Sequence, residues 1–358
     1  MKKFLALVFS LVMIASLAGC NTQPKMGSGE KVIATSGSEK MYLRDYLYTL
    51  GALKAQNESY INQYMGLSPE EFDEYWVGDS VKSPGTTMFD DLKIDGMDRA
   101  QQLAILYKLA TDQGFTYDET EMKELKEQLA NSVASLNSPE KTGERFFYEY
   151  YYVTIDEAVE VTKKISAVEQ FQVSVHNGIV VSDDEIRAFY DNPLNAMTVS
   201  TLQEALVAHI LIQVPEGTDP AVKETVYKAK AEDILIQAES GEDFGQLAAE
   251  FSEDPGSKDN GGEYTVTRST SFVTEFLDWT FSPDVNVGDF GIVETSYGYH
   301  VMHLINLQDY EEMKDTLRES VIQQKSSEAI GKLVDEAAME WTIDEALFAK
   351  IKHSVYGE

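Results

Sequence analysis

Two rhythms of apolar residues run along the chain and change places twice. From about residue 31 to 200 the spacing is mostly helical. In "RAQQLAILYKLATDQGF", Leu103, Leu106 and Leu109 recur at three-residue steps, the one-sided stripe of an amphipathic helix. "TYDETEMKELKEQLANSVASL" brings its own start signal: Asp118 can cap, and Glu121 follows three residues later, the capping-box spacing. Ser182 and Glu185 repeat it in "SDDEIRAFYDN". A short strand, "VIAT", precedes a turn at "GSE" and a helix from about Leu43. The aromatic run from Phe146 to Tyr152 reads as core or a helix–helix seam.

The rhythm changes near Thr198. "LVAHILIQV" is apolar almost throughout, as a buried strand is, and a turn, "PEGTDP", follows it. "AVKETVYKAKAEDILIQAESG" is a helix with Val222, Val226 and Ala229 assigned to one face, stopped at Gly241. "DFGQLAAEFS" is a second helix, with Phe244, Leu247, Ala248 and Phe251 at i, i+3, i+4 and i+7. After the Gly- and Asp-rich loop "EDPGSKDNGG" come a strand, "EYTVT", a helix, "SFVTEFLDWTF", a strand and turn, "GDFGIVETSYG", and a last strand, "YHVMHLINL". The order β-α-α-β-α-β-β makes a small antiparallel sheet with helices packed on it. From Gln308 onward the helical rhythm returns. The expected fold class is therefore α+β: a sheet domain, 201–307, inserted in a mostly helical domain of residues 31–200 completed by 308–358.

Composition narrows the classes. A chain of 358 residues has room for about two domains of ~100–200 residues. It carries 29 Lys and Arg against 61 Asp and Glu, a formal net charge of -32. Nucleic acid is excluded as a partner, because its binding depends on Lys and Arg neutralising phosphate. Aromatics at 11% and the apolar periodicity exclude a disordered chain. At the start, Lys2 and Lys3 precede "FLALVFSLVMIASLAG", shorter than the ~20 residues a spanning helix needs, so a signal peptide is expected. Cys20 is the only cysteine, which leaves no internal disulfide. Asn21 to Glu30 is polar with Pro and Gly and reads as a tether. The closing "LAGC" resembles the lipobox of bacterial lipoproteins. That resemblance implies a signal peptide over 1–19, a tether over 20–30, and a diacylglyceride on Cys20, whose two chains give stable anchoring.

His209 at the centre of "LVAHILIQV" poses a chemical question. A buried polar group without a partner costs ~1–3 kcal/mol, and a lone core histidine usually bonds to backbone. Here a second histidine, His300, opens the last strand. "AHILIQV", "DFGQLAAEFSEDPGSKDNGGEY" and "FGIVETSYGYHVMHL" together resemble a parvulin-type peptidyl-prolyl isomerase domain, over roughly Ala205 to Leu307. With the lipobox and the helical flanks, the whole chain is similar to the PrsA-type foldase lipoproteins, and its flanks more weakly to SurA-like chaperones. The resemblance implies that His209 and His300 lie on adjacent central strands and bond to each other. It makes Asp254 the acidic residue facing the substrate amide and Thr295 a hydroxyl near the second histidine. It makes Tyr264, Phe272 and Phe276 the walls of an apolar proline pocket, with Tyr297 a further substrate contact. The chain departs from the family pattern where "GGDLG" reads "GGEYT": Tyr264 stands for leucine, Thr265 for glycine, and Phe272 for a pocket methionine. These changes add bulk that would narrow the pocket. Outside the pattern, Asp before Pro-Gly is ordinary turn chemistry. His303, three residues after His300, points to the opposite face and reads as structural or exposed.

Isomerising a prolyl bond breaks no covalent bond, so the implied enzyme needs no nucleophile, metal or cofactor. Asp254 could act electrostatically or by holding a water, and both readings stay open. The histidines fix the sheet and the local tautomers rather than move protons. The expected function is a lipid-anchored foldase on the outer face of the cell membrane that isomerises Xaa-Pro bonds in secreted proteins. Its partners would be unfolded or partly folded secreted proteins and the membrane, through the anchor; a homodimer is left open. The alternative is a holdase with a weak or inert parvulin domain. A two-lobed solute-binding lipoprotein would alternate strands and helices, and the first 200 residues do not. The loop "IQVPEGTDP" holds no Arg or Lys, so a phosphorylated substrate finds no charge-assisted partner there.

Overall fold

The computed structural model describes residues 29–138 and 142–353. The chain opens with β1 (Val32–Ser36) and β2 (Glu39–Tyr42). Helices follow: α1 (Leu43–Tyr60), α2 (Phe72–Val77), α3 (Met88–Asp112), α4 (Glu119–Ala134), α5 (Gly143–Tyr151), α6 (Ile155–Gly178), α7 (Asp183–Asp191) and α8 (Ala196–Leu202). Next come β3 (Ala205–Gln213), α9 (Pro220–Val222), α10 (Ala229–Glu239), α11 (Phe244–Phe251), β4 (Glu263–Val266), α12 (Thr274–Thr280), β5 (Phe290–Thr295) and β6 (Gly298–Leu307). The described chain closes with α13 (Tyr310–Glu336), β7 (Thr342–Ile343) and α14 (Glu345–Phe348). It divides into two compact units, one running up to Gly178 and resuming at Ser326, the other Ile179–Lys325.

The first unit is helical, with its cores between packed helices. Leu50, Leu92, Met97 and Ala100 join α1 to α3; Met122, Leu125, Leu129 and Val159 join α4 to α6. The aromatic run of α5 is core, with Phe147, Tyr148 and Tyr151 buried. Asp118 caps α4, accepting from the N–H groups of Thr120 at 2.7 Å and Glu121 at 3.0 Å. A small antiparallel sheet, β2-β1-β7, adds two strands that the apolar rhythm does not announce. β7 is two residues long and pairs Ile343 with Ala34 and Thr342 with Thr35. The long helix of the closing segment ends at Glu336, ahead of β7. Gly29 and Glu30, at the end of the stretch read as a tether, are held by this unit. Gly29 N–H donates to Glu157 at 2.8 Å, and Glu30 pairs with Arg44. Residues 1–28, with the lipobox and Cys20, lie outside the described residues.

In the second unit four antiparallel strands run β4-β3-β6-β5. The segment Ala205–Leu307 holds the expected β-α-α-β-α-β-β order, with α9 and α10 counted as one helix running through the π-helical turn between them. The compact unit is wider than 201–307, because α7, α8 and the start of α13 form their own core. Ile186, Met313 and Leu317 are fully buried there against Val199 and Leu202. Ser182 and Glu185 close the capping box of α7, with Ser182 N–H donating to Glu185 at 2.8 Å and Glu185 N–H to Ser182 Oγ at 3.3 Å. One helix face differs from the expectation. Val222 and Val226 are exposed, at 44% and 54%, while Ala231, Ile234 and Ala238 are buried. A π-helical stretch, Lys223–Lys228, lies between α9 and α10. Its i→i+5 turns rotate the helix, so a 3.6-residue period carried from Val222 lands on the wrong side.

Candidate active site

β3 and β6 are the two central strands, and their register sets the site. His209 lies opposite Met302, and His300 opposite Leu211. The histidines are thus diagonal neighbours on one face of the sheet. Both are buried, at 4% and 5% exposure. Their rings lie 5.2 Å apart at 17°, with 2.9 Å between the two Nδ1 atoms. The outer nitrogens are also engaged. His209 Nε2 is 2.9 Å from Asp254 Oδ2, and His300 Nε2 is 2.9 Å from Thr295 Oγ1.

The loop bearing Asp254 is stitched to β3 by its backbone. Glu253 N–H donates to the Leu211 carbonyl at 2.9 Å, and His209 N–H donates to the Gly262 carbonyl at 2.9 Å. Gly262 has φ +81°, and a Cβ there would sit 2.4 Å from the His209 carbonyl oxygen, so only glycine fits. Ser257, a residue the sequence reading did not single out, is 1% exposed. Its hydroxyl donates to Asp254 Oδ2 at 2.6 Å. Tyr264 donates its phenol hydroxyl to the same oxygen at 3.0 Å, and Gly256 N–H donates to Asp254 Oδ1 at 3.1 Å.

These contacts fix the direction of every proton. Burial would raise the Asp254 carboxyl, but hydrogen bonds from Ser257, Gly256, His209 and Tyr264 outweigh it and hold the pKa at about 2. Asp254 is therefore a carboxylate and only accepts. Burial lowers the pKa of His209, with Asp254 partly opposing it. Burial, and then the neighbouring His209, lower His300 to about 4. Both rings are neutral at physiological pH, each with one N–H. His209 must donate from Nε2 to Asp254, so its Nδ1 accepts from His300 Nδ1–H. His300 Nε2 then accepts from the Thr295 hydroxyl. Thr295 Oγ1 in turn accepts the Tyr297 N–H at 3.1 Å. The result is a one-directional chain ending on a carboxylate, and it answers how a histidine sits in the middle of a buried strand.

Aromatic rings close over this chain. Phe276 is 1% exposed and meets both imidazoles edge-on, at 5.4 Å from His209 and 5.8 Å from His300. Phe272 stacks on Phe276 at 4.8 Å, and Tyr264 meets Phe272 edge-on at 5.1 Å. Tyr264 and Phe272 keep part of their surface in solvent, so they form the mouth of the cluster and Phe276 its floor. Thr265, whose side chain is exposed, adds no bulk to the buried floor. Tyr297, in the turn between β5 and β6, is 60% exposed and makes no ring contact with the cluster among the described residues. His303 faces the other side of the sheet, stacked on Phe290 at 4.2 Å.

Residues 194–308 match the family model of the PPIC-type PPIASE domain. Over 343 residues the chain is 26% identical to the foldase protein PrsA of Caldanaerobacter subterraneus, covering 94% of each. Along almost its whole length the chain is thus similar to a PrsA foldase. Its central segment is a peptidyl-prolyl cis-trans isomerase domain. It is also 35% identical to foldase protein PrsA 3 of Bacillus anthracis over 133 residues, 36% of this chain and 42% of that protein. The crystal structure of the peptidylprolyl isomerase PrsA from Bacillus cereus is similar at 22% identity, covering 77% of this chain and 92% of that one, with a TM-score of 0.29. The parvulin domain brings His209, His300, Asp254, Thr295 and Tyr264 into one hydrogen-bonded group, with Phe272 and Phe276 against it. Ser257 is the member that sequence reasoning missed. A serine three residues after an Asp in a Pro-Gly turn is the signal that could have found it.

Proposed function

We propose that this chain is an extracytoplasmic foldase, anchored by lipid on Cys20, that isomerises Xaa-Pro bonds in secreted proteins at the site under Tyr264 and Phe272. The carrying observation is the fully partnered chain Thr295–His300–His209–Asp254 beneath an aromatic cluster. The barrier to isomerisation, ~18–20 kcal/mol, is amide resonance. An enzyme lowers it by favouring the twisted amide over either planar form. Removing about 5–7 kcal/mol gives a turnover on the order of 10 to 10³ per second. On this reading the pyrrolidine rests against Phe272 and Phe276 while the preceding residue swings. The Asp254 carboxylate sits at the rim, its charge fixed by four donors, where the carbonyl changes character as conjugation is lost. The imidazoles hold it there and transfer no proton. The "LAGC" motif and the apolar leader support the anchored, outward-facing location. No helix among the described residues is long and apolar enough to cross a membrane.

The test is a proline-peptide isomerisation assay on the full chain beside His209→Ala, with circular dichroism as the folding check. A folded variant with an undiminished rate would exclude the site. One observation favours a second reading, a holdase with a weak domain: the rings of Tyr264, Phe272 and Phe276 are packed on one another. Wild-type chain that suppresses aggregation of a proline-free client yet shows no isomerisation would select it.

A further inference from the structure

Three side-chain polar atoms among the described residues are buried without a hydrogen-bond partner: Arg44 Nε, Asp45 Oδ1 and Trp341 Nε1. A buried polar atom left unpaired is destabilising, and unrelated defects would be scattered. These are not. All three residues line one cavity of about 330 Å³ in the first unit, at the lower end of the ~300–1,000 Å³ of small-ligand sites. Asp45 is 4% exposed. Its other oxygen is used, accepting the Tyr42 N–H at 3.1 Å and pairing with Lys164 at 2.7 Å. Arg44 spends a terminal nitrogen on Glu30 and lies over the Tyr42 ring at 4.7 Å, leaving Nε unpaired.

The unpaired set is two N–H donors and one carboxylate oxygen. A free anion would meet Asp45, and a free cation would meet Arg44 and Lys164. A neutral group with an acceptor and a donor side by side satisfies the set, and a backbone amide is such a group. The cavity also offers Met41, Leu103 and Met339, apolar walls that suit an aliphatic side chain. We propose that this cavity binds a short extended stretch of non-native polypeptide. Backbone carbonyls accept from Arg44 and Trp341, a backbone N–H donates to Asp45, and one apolar side chain enters the cavity. Entry of the peptide displaces the side chains that now screen the three atoms. The inference rests on the reading that the chain handles non-native protein, but not on isomerisation.

The experiment uses the full chain and a fluorescent, uncharged, proline-free peptide of alternating leucine and alanine, so the isomerase site is not the reporter. Binding is followed by anisotropy for wild type, Trp341→Phe and Arg44→Lys, with circular dichroism as the folding check. Each folded variant should bind roughly fivefold more weakly, the worth of one net hydrogen bond. Trp341→Phe should also leave the thermal midpoint of the free chain unchanged or higher, because it removes an unpaired buried donor. Prolyl isomerisation should be unaltered in both. A wild-type chain that does not bind the probe overturns the proposal. So does equal affinity in both variants. A lowered midpoint in Trp341→Phe with unchanged affinity assigns the indole N–H to a bridging water, and that too overturns it.

Discussion

Two polar groups buried in this molecule are built in opposite ways. In the parvulin domain, both ring nitrogens of both histidines have partners, and four donors hold one carboxylate. In the first unit, Arg44, Asp45 and Trp341 each keep one atom unpaired. The difference teaches what each region is for. A site that lowers a barrier electrostatically must have its dipoles in place before the substrate arrives, so it satisfies itself. A site that gains affinity by capture keeps hydrogen bonds in reserve and carries their desolvation cost while empty.

The hardest blow to the self-satisfied network is Asp254→Ala. It removes the one acceptor on which His209, Ser257 and Tyr264 converge. Isomerisation by the full chain should fall on the order of 10²-fold, as when a preorganised group is removed from an active site. Urea unfolding of the same variant reports the structural share. If the rate survives while the fold is intact, the network is only a strut.

The next effect is on stability, and its sign follows from neutral burial. His300 titrates at about 4 in the folded chain against an ordinary 6.5. Above pH 6.5 neither state binds the proton, and stability is full. Between 6.5 and 4 the unfolded chain takes the proton and the folded one does not, so stability falls by about 1.4 kcal/mol per pH unit, roughly 3 kcal/mol in all. Below 4 this contribution levels off. Asp254 adds a loss in the same direction lower down, as pH falls from 3.8 towards 2. Urea midpoints for the parvulin domain signals at pH 7 and pH 4.5 measure it, and His300→Gln should flatten the slope. A wild-type midpoint independent of pH over that range would mean the ring is charged in the folded state.

A smaller change isolates one departure from the family pattern. Tyr264→Phe keeps the ring against Phe272 but deletes the hydroxyl donated to Asp254. The Asp254 pKa should rise by about one unit, read by carboxyl-carbon NMR. The isomerisation rate should drop less than in Asp254→Ala. If the carboxyl does not move, Tyr264 is wall alone.

What could be read in advance divides along the same physical line. The central strands were legible because "LVAHILIQV" and "YHVMHLINL" are long apolar runs, and the histidine pair because the family pattern fixes its spacing. Asp118 and Ser182 were legible as caps because their partners lie within three residues. β7 was not, because two residues carry no periodicity and Thr342–Ile343 exists only through pairing with β1. The outward turn of Val222 and Val226 was hidden by the π-helical stretch, a geometry with no composition of its own. The role of Tyr264 was half legible. Its bulk is visible in "GGEYT", whereas its hydrogen bond to Asp254 depends on a loop fold that brings Gly256 under the phenol. The reserve atoms of Arg44, Asp45 and Trp341 could not be read at all, since they bring together residues from the two ends of the chain.

The smallest expected effect is a null, and it tests what the network's charge excludes. The loop after β3 carries Glu216 and Asp219 and no cation. Lys223, the next cation along the chain, pairs with Glu294 at 2.6 Å. A phosphate on the residue before proline would therefore meet the Asp254 carboxylate and find no cation in the loop after β3. Matched Ser-Pro and phosphoserine-Pro peptides should isomerise at rates within about a few-fold of each other, with the phosphorylated one slower. Like-charge repulsion of this kind is screened by salt over ~10 Å at 0.1 M, so the gap should narrow as salt is raised. A phosphopeptide turned over faster than its twin would require a cation at the rim and would overturn this reading.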